Sequence, residues 1–87
     1  MPEQQHAAIL ARVEAVMRQV FSLPGEYKVT DATVASDIDG WDSLSHSILI
    51  MKIEEEFAVD LPMERVYEVN DVGELVELIA SAAGSAA

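Results

Sequence analysis

The sequence predicts an all-α chain, and three observations carry that expectation. Hydrophobic residues make up 51% of the chain but aromatic residues only 6%. With alanine abundant, that mix suits packed helices better than a β-sandwich of alternating β-branched and aromatic side chains. Apolar residues recur every three or four positions in separate stretches, the period of a helix face. No cysteine is present, so neither a disulfide framework nor a thiolate metal site stands in for a packed core.

Taken in order, Ile9, Val13, Val16, Met17 and Val20 form one apolar stripe, predicting a first helix from about Gln4 to Phe21. Arg12, Glu14, Arg18 and Gln19 fill its polar side, and Pro24-Gly25 is expected to end it. From Glu26 to Trp41 no period is sustained. Thr30-Asp31-Ala32-Thr33 reads as a short turn, and Val29, Val34 and Ile38 are spaced to pin this long loop to a core. A second helix is expected from Asp42 or Ser43 to Phe57. At 100° per residue it places His46, Leu49, Ile50, Ile53 and Phe57 on one side and Leu44, Ile48 and Met51 on the other. Asp60-Leu61-Pro62 breaks the chain, and Met63 to Glu68 has room for only a short helical piece. Asn70 or Asp71 caps a last helix through about Ala83, with Val72, Leu75, Val76 and Ile79 as its stripe. Gly84 to Ala87 reads as a frayed tail. The expected core is Val16, Val20, Leu49, Ile53, Phe57, Val72, Val76 and Ile79. Eighty-seven residues without repeat or internal boundary make one domain, ordered over about residues 4–82.

The net charge of −11, with five Lys and Arg, excludes a nucleic-acid partner, which needs many cations to meet phosphates. It argues equally against an anionic membrane surface and favours encounter with basic proteins. The N-terminal Met1-Pro2-Glu3-Gln4-Gln5-His6 lacks the basic and apolar regions of a signal peptide, and no segment approaches a membrane span. A small, acidic, monomeric cytoplasmic domain is the expectation.

Chemistry concentrates at Gly40-Trp41-Asp42-Ser43-Leu44. A serine or aspartate at a helix start commonly caps it by accepting an orphan N–H. A hydrolase nucleophile fits poorly: the flanks are not Gly-x-Ser-x-Gly, no strand precedes the turn, and His46 falls on the core side without an orienting carboxylate. A phosphate ester at Ser43 suits a helix N-terminus, whose free N–H groups and dipole favour an anion. Asp42 opposes such a charge, which points to another role for it, in capping or in helping a modifying enzyme. Asp37-x-Asp39-Gly40-x-Asp42 fails as a calcium loop, because its sixth and twelfth positions, Asp42 and Ile48, are not the required Gly and Glu. The Leu44, Ile48, Met51 face is either covered by the long loop or a docking surface, and methionine suits surfaces that repack against several partners. Glu54 and Glu55 border it, an acidic rim for a basic partner.

Asp42-Ser43-Leu44, Glu54-Glu55-Glu56-Phe57 and Leu61-Pro62, at these spacings, resemble the acyl carrier protein family from about Ile9 to Ile79. The resemblance implies a four-helix bundle with a short third helix and a long ordered loop between the first two. It implies a non-catalytic carrier in which Ser43 takes a 4′-phosphopantetheine arm from coenzyme A and acyl groups ride on that arm as thioesters. The implied partners are a phosphopantetheinyl transferase and acyl-loading and acyl-transfer enzymes with basic docking surfaces, meeting Trp41, Asp42, Leu44, Ile48, Met51, Glu54 and Glu55. Part of an acyl chain is expected against Ile50, Ile53, Val66 and Val69. Trp41 stands where fatty-acid synthesis carriers generally have a small residue, and Ile48 where an acidic one is expected. Gly-Trp-Asp-Ser-Leu-x-His is closer to free-standing carriers of specialised lipid or polyketide-type pathways. A peptidyl or aminoacyl carrier, and an unmodified helical interaction module with Ser43 as a simple cap, remain the alternatives.

Overall fold

The structure, a computed structural model, describes residues 3–85. Its elements in order are α1 (Glu3–Phe21), a 3₁₀ turn (Ala35–Asp37), α2 (Ser43–Phe57), α3 (Met63–Val66) and α4 (Val72–Ser85), with no strand among the described residues. α1 packs against both α2 and α4, and α3 lies against α4. The four helices thus form the expected bundle, with a 3₁₀ turn in the loop that the sequence did not announce.

The core is aliphatic. Val13, Met17, Leu49, Ile53, Leu75, Val72, Val76 and Ile79 are essentially sealed from solvent. Truncating one of the larger ones to alanine costs about 2–5 kcal/mol, a large share of what a small domain has. Two expected core residues sit differently. Val20 and Phe57 are only half-buried, packed against the core from its edge. Phe57 is covered by the Arg12 guanidinium, 4.2 Å from the ring centroid. Arg12 also donates to the Glu56 carboxylate and, at 2.7 Å, to the Glu56 carbonyl, so it clamps the end of α2 to α1.

α1 and α2 end where expected, at Phe21 and Phe57, but not by the means expected. α1 stops at Phe21, ahead of Pro24-Gly25, because Ser22 takes a left-handed conformation (φ 53°). α2 ends the same way at Ala58 (φ 54°), ahead of Asp60-Leu61-Pro62. This geometry is natural at a helix C-terminus but disfavoured for any residue with a Cβ. α3 is shorter than Met63 to Glu68, and α4 runs through Gly84 to Ser85, past the expected end at Ala83. The remainder of the expected tail, Ala86 and Ala87, lies outside the described residues.

The loop from α1 to α2 is held over residues 24–33 by hydrogen bonds to side chains and backbone. Arg18 donates to the carbonyls of Pro24 and Tyr27, while Glu14 accepts the Val29 N–H at 2.9 Å. Val29 and Ile38 are buried, and Val34 is only half-buried. The Thr30–Thr33 turn closes through Thr33 N–H to the Thr30 carbonyl at 3.1 Å, with Thr33 itself buried. At the far side, the first N–H groups of α4 donate into the loop: Val72 to the Thr33 carbonyl and Gly73 to the Asp31 carbonyl, both at 2.9 Å. His6 on α1 meets the Asp31 carboxylate at 2.7 Å.

That junction requires Gly73. A Cβ there would stand 3.0 Å from Asp31 Cβ and 3.1 Å from the Asp31 carbonyl oxygen, and the backbone contact has no flexible end to yield. Gly73→Ala is expected to destabilise the fold by about 1–3 kcal/mol, the usual penalty of overpacking, despite alanine's better helix propensity. Urea denaturation checks this; a gain in stability would show that the loop is not seated on α4.

Candidate functional site

α2 begins with a complete cap that does not use Ser43. Asp42 is the N-cap residue: its Oδ1 accepts the Ser45 N–H at 3.0 Å, and its own N–H donates to Ser45 Oγ at 2.8 Å. The Ser45 hydroxyl donates in turn to the Gly40 carbonyl at 2.6 Å, made possible by the left-handed Gly40 (φ 86°). The pair is a reciprocal capping box with serine in the place of the usual glutamate. These bonds, first the Ser45 backbone N–H and then its hydroxyl, hold the Asp42 carboxyl below its ordinary value of 3.8. Ser43, at the first helical position, is exposed, and its hydroxyl has no hydrogen-bond partner among the described residues.

Beside Ser43 lies a cleft of about 300 Å³ bounded by Trp41, His46, Val66, Tyr67, Val69 and Leu75, with Asp42, Asn70 and Asp71 at its polar margin. Of the residues expected to shelter an acyl chain, Val66 and Val69 line this cleft. Ile50 and Ile53 do not; both are buried in the bundle core. Trp41 is half-buried in the cleft wall, its ring 5.4 Å from Phe21 and 6.0 Å from His46.

His46 offers nothing to Ser43 as a base. Its Nδ1 accepts the Trp41 indole N–H at 3.0 Å and its Nε2 meets the Val66 carbonyl at 2.7 Å, so both nitrogens are committed elsewhere. A nucleophile–base pair is absent here.

The second face of α2 is open to solvent. Leu44 is 73% exposed, Met51 55% and Ile48 39%; the long loop does not cover them. Met63 of α3 and Tyr67, the residue that follows α3, are also exposed, and the Tyr67 hydroxyl bonds Ser47 Oγ at 2.6 Å. Glu55 is exposed, whereas Glu54 is half-buried and accepts the Leu61 N–H at 2.9 Å. Of the loop carboxylates, Asp37 accepts the Val34 N–H at 3.0 Å, a local cap.

Sequence reasoning did not place Ser45, Tyr67, Leu75 or Asn70 at this site. The Asp42-x-x-Ser45 spacing was a readable signal for the first of these. The others come to the cleft only through tertiary packing.

A family profile described as "Phosphopantetheine attachment site" matches residues 29–79. An acyl carrier protein from Thermosynechococcus vestitus is 35% identical over 71 residues, covering 82% of this chain and 86% of that one. The solution structure of a holo acyl carrier protein from Geobacter metallireducens superposes with a TM-score of 0.80 at 31% identity, over 90% of this chain and 88% of that one.

Since Asp42 and not Ser43 caps α2, Ser43→Ala should leave the denaturation midpoint close to wild type near pH 7, and Asp42→Ala should lower it. The folded state lowers the Asp42 pKa, so its contribution is full above 3.8 and is lost as pH falls through the folded-state value. The gap between wild type and Asp42→Ala should therefore close once the pH lies below that folded-state value. A gap that persists there would mean that the ionised carboxylate is not what holds the cap.

Proposed function

This chain belongs to the acyl carrier protein family, non-catalytic carriers that hold acyl groups on a 4′-phosphopantetheine arm, and from that premise we propose that Ser43 is the attachment residue. The observation that carries the proposal is the exposed hydroxyl of Ser43, unbonded among the described residues, at the first position of α2 within the matched segment. Its neighbours perform the capping that such a serine would otherwise do. The arm supplies a thiol, which a chain without cysteine lacks. The N–H groups and dipole of the α2 N-terminus favour the arm's phosphate, and Asp42 is drawn back into its bonds with Ser45. Trp41, Val66, Tyr67 and Val69 offer apolar surface to whatever the arm carries.

The docking surface is proposed to be the Leu44, Ile48 and Met51 face, extended by Met63 and Tyr67 and bordered by Glu55. Partners are the phosphopantetheinyl transferase and enzymes that load and unload acyl groups. Leaving these side chains wet forgoes roughly 1.5–3 kcal/mol each relative to full burial, which a partner recovers on docking. The apolar Ile48 at a position where an acid is expected supports a carrier of a specialised lipid or polyketide-type pathway, with partners whose contact surface is apolar at its centre and basic at its edge.

Ser43→Ala is expected to abolish phosphopantetheine transfer while the helical signal is unchanged. Intact mass after incubation with coenzyme A and a broad-specificity transferase reads this directly. A gain of one phosphopantetheine in that variant, at Ser36, Ser45 or Ser47, would overturn the assignment.

Met51→Glu should leave stability nearly unchanged, since the side chain is already exposed. It should nonetheless slow transfer to or from the arm, because a carboxylate would lose water on docking without gaining a partner. Ile48→Glu should improve exchange with fatty-acid synthesis enzymes and impair exchange with the native partner. Equal transfer rates for both variants with every enzyme would show that this face is not the one used.

A further inference from the structure

We propose that His46 is a positioning residue for Ser43, tying together the two walls of the adjacent cleft only while its imidazole is neutral and carries its proton on Nε2. The kinetic part of this proposal rests on Ser43 being the attachment residue; the geometric part does not.

The bonding partners fix the tautomer. An indole N–H only donates and a carbonyl only accepts. With Trp41 Nε1 at 3.0 Å from Nδ1 and the Val66 carbonyl at 2.7 Å from Nε2, Nδ1 must be bare and Nε2 protonated. Any imidazolium carries a proton on Nδ1, which would face the indole N–H donor to donor. Protonation therefore removes the Trp41 bond and keeps the Val66 bond. Trp41 stands two residues before Ser43 in the loop that enters α2, and Val66 belongs to α3 on the facing wall. Both, with Ser43 and His46, border the one cleft. Neutral His46 thus sets the loop and α3 at a fixed separation around the serine, and the cation holds α3 alone.

The surroundings make the link more than a pair. Phe21 and His46 flank the indole, with centroids at 5.4 and 6.0 Å, and Tyr67 lies 5.4 Å from His46. The titratable groups sharing the cleft with the imidazole are Asp42 from the loop, Tyr67 just after α3 and Asp71 from the turn into α4. No lysine or arginine borders the cleft among the described residues. The other histidine, His6, is engaged separately with Asp31.

The chain has one tryptophan, so the wall can be watched directly. In the ¹⁵N-labelled apo protein, the imidazole nitrogen shifts of His46 should report the Nε2–H tautomer on the alkaline side of its titration. The indole N–H resonance and the tryptophan emission should then change together with the His46 ring as it protonates. His46→Asn places an amide oxygen near Nδ1, and its indole resonance should stay in the bonded position throughout. His46→Gln places an amide nitrogen near Nε2, and its indole resonance should start in the released position. The rate of phosphopantetheine transfer to wild type, divided by that to His46→Asn at each pH, should fall roughly two- to tenfold as His46 protonates, the worth of one net hydrogen bond. Taking the ratio cancels the pH dependence of the transferase. An Nδ1–H tautomer, an indole signal indifferent to His46 titration, or a flat ratio would each overturn the proposal. Absence of any transfer to wild type would overturn the attachment reading instead, leaving the spectroscopic arms to decide this one.

Discussion

The end of the molecule that carries Ser43 depends on how the connection between α1 and α2 is held, and it is held by hydrogen bonds more than by helix packing. A connection this long loses much conformational entropy on being ordered. Two side chains on consecutive turns of α1, Glu14 and Arg18, take up backbone groups at its start. The open N-terminus of α4 takes up two more carbonyls at Asp31 and Thr33. Within the connection only Val29, Thr33 and Ile38 are buried. Groups on two other helices thus fix the loop as far as Thr33, and the Gly40–Asp42 approach is then fastened to α2 itself through Ser45 and His46.

The acidity of the chain takes on a different meaning against these contacts. Its carboxylates are not simply a charged coat. Glu14, Asp37, Asp42, Glu54, Asp71 and Glu74 each accept a backbone N–H, mostly at the starts of turns and helices where such donors are orphaned. Those groups are committed to the fold. What remains near the exposed face of α2 is Glu55 at the edge of an apolar strip, so attraction at long range and contact at short range are divided between different residues.

Much of this was legible in the sequence. Periodicity located the three longer helices, and the two faces of α2 separated cleanly because Leu49 and Ile53 repeat on one side while Leu44, Ile48 and Met51 repeat on the other. Ser43 stood out through its neighbours. Other features were not legible, for identifiable reasons. Ser22 and Ala58 end helices in a backbone state that neither side chain advertises. Phe57 looked like a core residue because hydrophobicity cannot show that Arg12, far away in sequence, roofs it. Glu54 looked like part of a partner-facing rim, but its carboxylate turns to the Leu61 N–H. The cleft was half readable: Val66 and Val69 were anticipated, while Tyr67 and Leu75 reach it only through the way α3 and α4 pack.

The capping box has one more consequence. Because Asp42 and Ser45 close the start of α2 between themselves, residue 43 can change its chemical state without taking the cap apart. On the proposed function, bare, armed and acylated forms would keep the same cap at this helix end. A partner that discriminates among them must then read the arm, or what the arm does to the cleft, and not a change in the cap beneath it.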